Sequence, residues 1–406
     1  MVEWINILST LYFVATLILS YEYQQPALIL FFASTVLDII VNKRYTTKWE
    51  NSRWVFVLMI ILYSCSWVWH IFEDCNSNLF FHSTDIKLPF LAFGIIGLFG
   101  KINPKIKWSY VAVTMLVSSI VVLIAMIVNN IEYIQENITS INEFRENIAR
   151  FRGNTIHTTH IEFNIFLNCT IVACFVNIID NPRKWCKVLF GIGAIVIYIS
   201  LFCSEGRTGF LTSNILFALF FLLGLYKYKP KLIIPLVAVF VVLITALAMQ
   251  HNRFKPELLN KEPRLSVWAE AIDLIKEKPI MGYGTCNGRY QFVERCLNND
   301  VLKTNFWPGW FAKFPDYKVH RFHCHNIFIE STLEFGIIGL LIVVGLFVLP
   351  IILTKGKIRM YLFLFVTIFV IQGTFESFTS HYQIMLFCWI VYYLTTHFTN
   401  KRNSLF

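Results

Sequence analysis

Three short stretches of this 406-residue chain carry side chains able to do chemistry. In Ser204-Glu205-Gly206-Arg207-Thr208-Gly209 a single guanidinium sits between glycines, which let a ligand approach the backbone closely. A second guanidinium, in Arg264-Leu265-Ser266-Val267-Trp268, follows Pro263. His323-Cys324-His325-Asn326 supplies two imidazoles and leads into a run that contains Glu330 and Glu334. A guanidinium presents a fixed fork of donors that suits phosphate oxygens and stays charged at every accessible pH. Imidazole titrates near neutrality, which fits it to act as a general base.

Each stretch also has a plainer account. Arg207 could snorkel at a helix end beside Glu205, and Arg264 could be an exposed loop charge. The histidines could be a solvated helix start, with Asn326 as the N-cap. His320, His323, Cys324 and His325 are all metal-ligand types. Their spacing fits no usual zinc pattern, and sequence neighbours rarely converge on one ion, so no metal and no cofactor are expected.

What positions these groups is a bilayer. Hydrophobic residues make up 56% of the chain, aromatic residues 17% and charged residues only 15%, against about 25% charged in an ordinary soluble chain. That excludes a soluble enzyme, a disordered regulator and a disulfide-stapled secreted domain. The fold class expected is an all-α polytopic membrane protein. Apolar runs near the roughly 20 residues needed to span occur at 4–21, 26–41, 54–72, 86–100, 108–128, 161–180, 186–204, 209–226, 232–250, 328–353, 360–376 and 382–397. They predict about 12 transmembrane helices, the fourth short and tilted or broken at Pro89.

The formal net charge of +10 would suggest nucleic acid in a soluble chain, but here it reads as topology. With the N-terminus inside, 18 of the 35 Lys and Arg residues fall in cytoplasmic segments, and the short outer loops hold only Lys87 and Arg207. The other 15 lie in two long outer segments, 129–160 and 251–325, which the orientation rule does not count. Both termini are then cytoplasmic, and no cleavable signal peptide is expected. The chain divides into nine spans over 1–250, with the smaller outer loop at 129–160, a large outer loop at 251–325, and three spans over 326–406. Within the large loop, Val267, Trp268, Ala271, Ile272 and Ile275 predict an amphipathic helix on the outer interface, with Arg264 ahead of its first turn and a glycine turn at 279–284 after it. A Cys286–Cys296 disulfide is possible in that loop, leaving Cys324 over.

Other charges leave alternatives open. Glu73-Asp74 could serve acid–base chemistry or be solvated. Asp38 lies inside a span, and is either functional by default or paired near the cytoplasmic face with Lys43 or Arg44. Glu330 and Glu334, at i and i+4, could orient His325 or pair with an arginine. Arg145, Arg150, Arg152, His157 and His160 make the smaller loop basic, either to meet an acidic acceptor or as a solvated run.

Taken in order, SEGRTG, RLSVW, PIMGYG and HNIFIESTLEFGIIGL resemble the O-antigen ligase and polymerase superfamily over about residues 204–340. The resemblance implies a membrane-embedded (GT-C-like) glycosyltransferase with a periplasmic loop, acting in the inner membrane of Gram-negative bacteria. It implies inverting, metal-independent transfer of O-antigen polysaccharide from undecaprenyl pyrophosphate to the lipid A-core oligosaccharide, with the bilayer and no nucleic acid as further partners. By the same resemblance Arg207 and Arg264 neutralise the pyrophosphate leaving group and His325 deprotonates the acceptor hydroxyl. His323, a second histidine beside it, departs from the family pattern; with Asn326, Glu330 and Glu334 it forms the supporting set. No Asp-x-Asp occurs in the chain, so arginines are the available substitute for a metal at the leaving group. Longer protein-glycosylating relatives fit less well, O-antigen polymerase is the nearer alternative, and a transporter or flippase is the reading from another class.

Overall fold

The structure is a computed structural model describing residues 1–46, 49–71, 77–204, 206–228, 263–299, 323–377 and 384–397. It is an all-α polytopic membrane protein. In hydrocarbon a backbone must satisfy its own polar groups, and a helix does so within one segment. In chain order the described helices are α1 (Val2–Thr16), α2 (Tyr21–Val41), α3 (Trp54–His70), α4 (Ser77–Asp85), α5 (Leu88–Phe99), α6 (Trp108–Val128), α7 (Ile131–Asn137) and α8 (Ile141–Ile156). There follow α9 (His160–Asp180), α10 (Lys184–Cys203), α11 (Arg207–Tyr228), α12 (Pro263–Glu277), α13 (Asn287–Asn298), α14 (Ile327–Ile352), α15 (Gly356–Phe375) and α16 (Ile384–His397). Among the described residues, 8 helices are long and apolar enough to cross a membrane, and α1 and α16 are shorter apolar ones. Every expected span coincides with a helix except 232–250, which lies outside the described residues. The fourth, α5, has 12 residues. Pro89 starts it rather than breaking it, since a first-turn residue needs no N–H.

The centre of the bundle is α9, buried along almost its whole length against α6, α10, α11 and α15. A helix apolar on every face is stable only when surrounded. Phe13, Phe31 and Phe93 stack in series at 5.1 and 5.7 Å, which joins α1, α2 and α5. At the end of the bundle remote from Arg207, the carboxylate of Asp38 meets Arg44 at 2.9 Å, so its partner is one of the two basic residues expected. The smaller loop forms α7 and α8, and its arginines are used in packing: Arg145 lies over Phe202, Arg150 over Tyr133, and Arg152 donates to the Thr158 carbonyl.

The large loop builds a cap from α12 and α13. Val267, Ala271 and Leu274 join Phe292, Val293, Cys296, Cys324 and Leu333 in a second apolar core, so the stripe of α12 packs against protein. Ile272, expected in that stripe, faces out, and Leu274 takes its place. The helix begins at Pro263, which puts Arg264 inside its first turn. Cys286 is disulfide-bonded, to a partner outside the described residues. Cys296 is a free buried thiol on the core-facing side of α13 with Phe292, so a Cys286–Cys296 bond does not form. Glu73-Asp74 and His320 lie outside the described residues.

One backbone device fastens the cap to the bundle. Gly336 interrupts α14 with φ +63°, a conformation that costs other residues strain, and a Cβ there would meet the Ile280 carbonyl oxygen at 2.0 Å. The turn after α12 inserts at this break. Tyr283 and Gly284 donate to the carbonyls of Leu333 and Glu334 at 2.9 and 2.7 Å, and Ile337 donates to Pro279 at 2.9 Å. The two glycine-containing motifs seen in sequence are thus two halves of one joint.

Candidate active site

Several helix ends converge at one end of the bundle: the starts of α9, α11, α12 and α14, and the finish of α15. Between them lies a cavity of about 60 Å³ whose lining includes His160, Asn164, Arg207, Arg264, Gln372 and Glu376. That exceeds several-fold the roughly 10–15 Å³ one water needs, so a phosphate-sized group fits. Arg207 and Arg264, 57 positions apart in sequence, share this space.

Glu376 joins the arginines to the histidine. Its Oε1 accepts from Arg264 at 3.1 Å, and its Oε2 lies 2.8 Å from His325 Nδ1. A carboxylate only accepts, so an ionised Glu376 favours the His325 tautomer with its proton on Nδ1. The Glu376 side chain is 4% exposed while that of His325 is 28% exposed, which leaves the ring reachable by a substrate.

The loop carrying His325 is held by hydrogen bonds from α12 and from the end of α15. Trp268 Nε1 donates to the Cys324 carbonyl at 2.9 Å. The Asn326 N–H donates to Ser377 Oγ at 3.0 Å, and Asn326 Nδ2 donates to the Thr374 carbonyl at 3.0 Å. Asn326 Oδ1 also accepts from the N–H groups of Phe328 and Ile329, so it is the N-cap expected and ties α14 to α15 besides. His325 itself has φ +51°, a strained left-handed conformation that persists only where the surroundings dictate it. His323 supplies part of that constraint: it is buried, and its Nδ1 accepts from the His325 N–H at 3.2 Å.

Glu330 and Glu334 pair with cations from other elements. Glu330 pairs with Arg289 at 2.9 Å and Glu334 with Lys87 at 2.5 Å, one and two turns into α14. An arginine partner is therefore correct for Glu330, and the orienting role falls to Glu376. Burial pulls the Arg289 guanidinium down, but Glu330 and Glu334 outweigh it and hold the group above its ordinary range. Cys324 is buried there too; burial, then the charge of Glu330, pushes its thiol up and disfavours the thiolate.

His323, His325 and Glu376 place candidate ligand atoms within 4.8 Å of one another. The residues do not suit a cation, because both Glu376 oxygens are already engaged by Arg264 and by His325 Nδ1. The fixed guanidinium beside that carboxylate would repel a second positive charge.

With the geometry in place, one known family matches part of the chain. Residues 192–344 match the O-antigen ligase family. The chain carries an O-antigen ligase family domain. No curated protein matches the chain. The matched O-antigen ligase region runs from within α10 to within α14 and contains Arg207, Arg264 and His325, whereas Lys87 and Glu376 lie outside it. A domain of this family points to glycosyl transfer, and the apolar helices to a multi-pass membrane protein.

Sequence reasoning missed Glu376, Lys87 and Arg289. Glu376 follows an apolar helix and has no motif around it; its only signal is an acidic residue at the end of a span. Lys87 was counted only as a loop charge, and Arg289 had no distinguishing neighbour.

Proposed function

We propose that the protein is an O-antigen ligase, transferring O-antigen polysaccharide from undecaprenyl pyrophosphate to the lipid A-core oligosaccharide at the periplasmic face of the inner membrane. The observation that carries this reading is Glu376, held by Arg264 on one oxygen and His325 on the other, beside a cavity that Arg207 shares.

The acceptor hydroxyl loses its proton to His325 Nε2 as its oxygen bonds to the anomeric carbon. The bond from that carbon to the pyrophosphate oxygen breaks, and undecaprenyl pyrophosphate departs with the electron pair. Attack opposite the leaving group inverts the anomeric centre. Arg207 and Arg264 face the developing charge, a task for which a single preorganised donor accounts for about 10²–10³ in rate. Glu376 fixes the tautomer and orientation of His325 and stabilises the imidazolium that forms, as the carboxylate of a catalytic triad does. A GT-C-like layout with both termini cytoplasmic keeps the polyprenyl tail in the bilayer and the sugars in water.

The test is the lipopolysaccharide gel profile of a deletion strain complemented with point variants. Arg207→Ala, Arg264→Ala and His325→Ala should each leave protein in the membrane and abolish the polymer ladder. Wild-type ladders from all three would end the reading. A deletion strain whose core still carries one repeat unit would instead identify a polymerase, since loss of the ligase leaves the core bare.

A further inference from the structure

Resting on that reading, we propose that Asn164 is a further donor to the pyrophosphate, and that residues 206 and 209 are glycine to let its amide reach the ligand. Asn164 lies on α9 one turn after His160 and is 1% exposed, yet it lines the same cavity as Arg207 and Arg264. Its Oδ1 accepts from Ser204 Oγ at 3.1 Å, which fixes which way the amide points. Its backbone carbonyl accepts from Asn168 Nδ2 at 2.8 Å, and that same nitrogen donates to the Gly209 carbonyl at 3.1 Å. Nothing among the described residues accepts from Asn164 Nδ2. Asn164 lines the cavity, so a ligand oxygen placed there can accept from this amide.

The hairpin glycines give independent support. A Cβ on Gly206 would stand 2.1 Å from Asn164 Nδ2, and one on Gly209 would stand 2.6 Å from it. Any other residue at either position would displace the amide or the first turn of α11. That first turn is a helix start, where leading N–H groups look outward toward an anion. The amide, the two guanidinium groups and this helix start are all donors, which suits the oxygens of a pyrophosphate diester. Because Asn164 is neutral, it adds a directed hydrogen bond without adding charge that would retain the product.

The experiment measures binding of inorganic pyrophosphate to the purified full-length protein by calorimetry, with gel filtration and thermal melting of each variant alongside. Asn164→Asp changes one NH₂ to oxygen and still accepts from Ser204; it should weaken binding more than tenfold. Asn164→Ala should weaken it several-fold, and Gly206→Ala should resemble Asn164→Ala. Arg207→Ala, as the reference, should lose binding. Unchanged affinity in all three Asn164 and Gly206 variants, with Arg207→Ala defective, overturns this inference and leaves the proposed function standing. Unchanged affinity in Arg207→Ala, or no binding by the unaltered protein, overturns the pyrophosphate reading and this inference with it.

Discussion

Two charged clusters flank the His325 end of α14 and are assembled by opposite rules. The inner one pairs Lys87 with Glu334 and Arg289 with Glu330, two cations against two carboxylates, three of them buried and Arg289 mostly so. The outer one sets Arg207 and Arg264 against one described carboxylate, Glu376, around a cavity, and leaves His325 partly exposed. A buried ion pair is matched because a lone charge in a low dielectric is very costly. Guanidinium groups gathered around an open cavity instead give a positive local field that draws anions in. The inner cluster is therefore read as structure and the outer one as chemistry.

Breaking the inner cluster should give the largest effect on folding. Glu330→Leu removes the carboxylate paired with Arg289 and should cost about 3–5 kcal/mol, read as loss of membrane-inserted protein and a lowered melting temperature. Arg289→Met combined with Glu330→Leu should recover most of that loss, because two apolar side chains bury without a charge penalty. If the double variant is no better than the single, Glu330 does more than balance Arg289.

The outer cluster should behave the other way. Arg264→Ala or Arg207→Ala should lower the rate of transfer by about 10²–10³ while the melting temperature holds. Glu376→Gln keeps a hydrogen-bonding side chain but no longer dictates which His325 nitrogen carries the proton. It should also lower the rate sharply, with donor binding affected less than turnover. A smaller effect belongs to Trp268→Phe, which removes one hydrogen bond to the His325 loop, worth about 1 kcal/mol, and should slow transfer several-fold. The smallest is chemical: with its thiol pushed up by burial, Cys324 should resist maleimide in the native protein and react fully after denaturation. Rapid native labelling would show that the inner cluster is open to water.

Spans were legible because a bilayer demands long apolar runs, and α5 looked short in sequence because it is short. Arg207, Arg264 and His325 were legible because each stands in a local pattern of glycine, tryptophan or asparagine. Glu376 was not, since its significance arises only when the end of α15 meets the start of α14, a contact that no local pattern encodes. The pairing of 279–284 with the break at Gly336 was equally hidden: both motifs could be seen, but a backbone joint between them depends on carbonyls freed by φ +63°. Glu330 and Glu334 were visible as an i, i+4 pair, and their partners came from two other elements.

The most direct measurement is an electron cryomicroscopy structure of the protein with undecaprenyl pyrophosphate. Phosphate density within hydrogen-bonding reach of both Arg207 and Arg264, with His325 Nε2 facing the space beside it, is the predicted result. Phosphates bound elsewhere, for instance against Lys87 and Arg289, would contradict the division between a closed structural cluster and an open catalytic one.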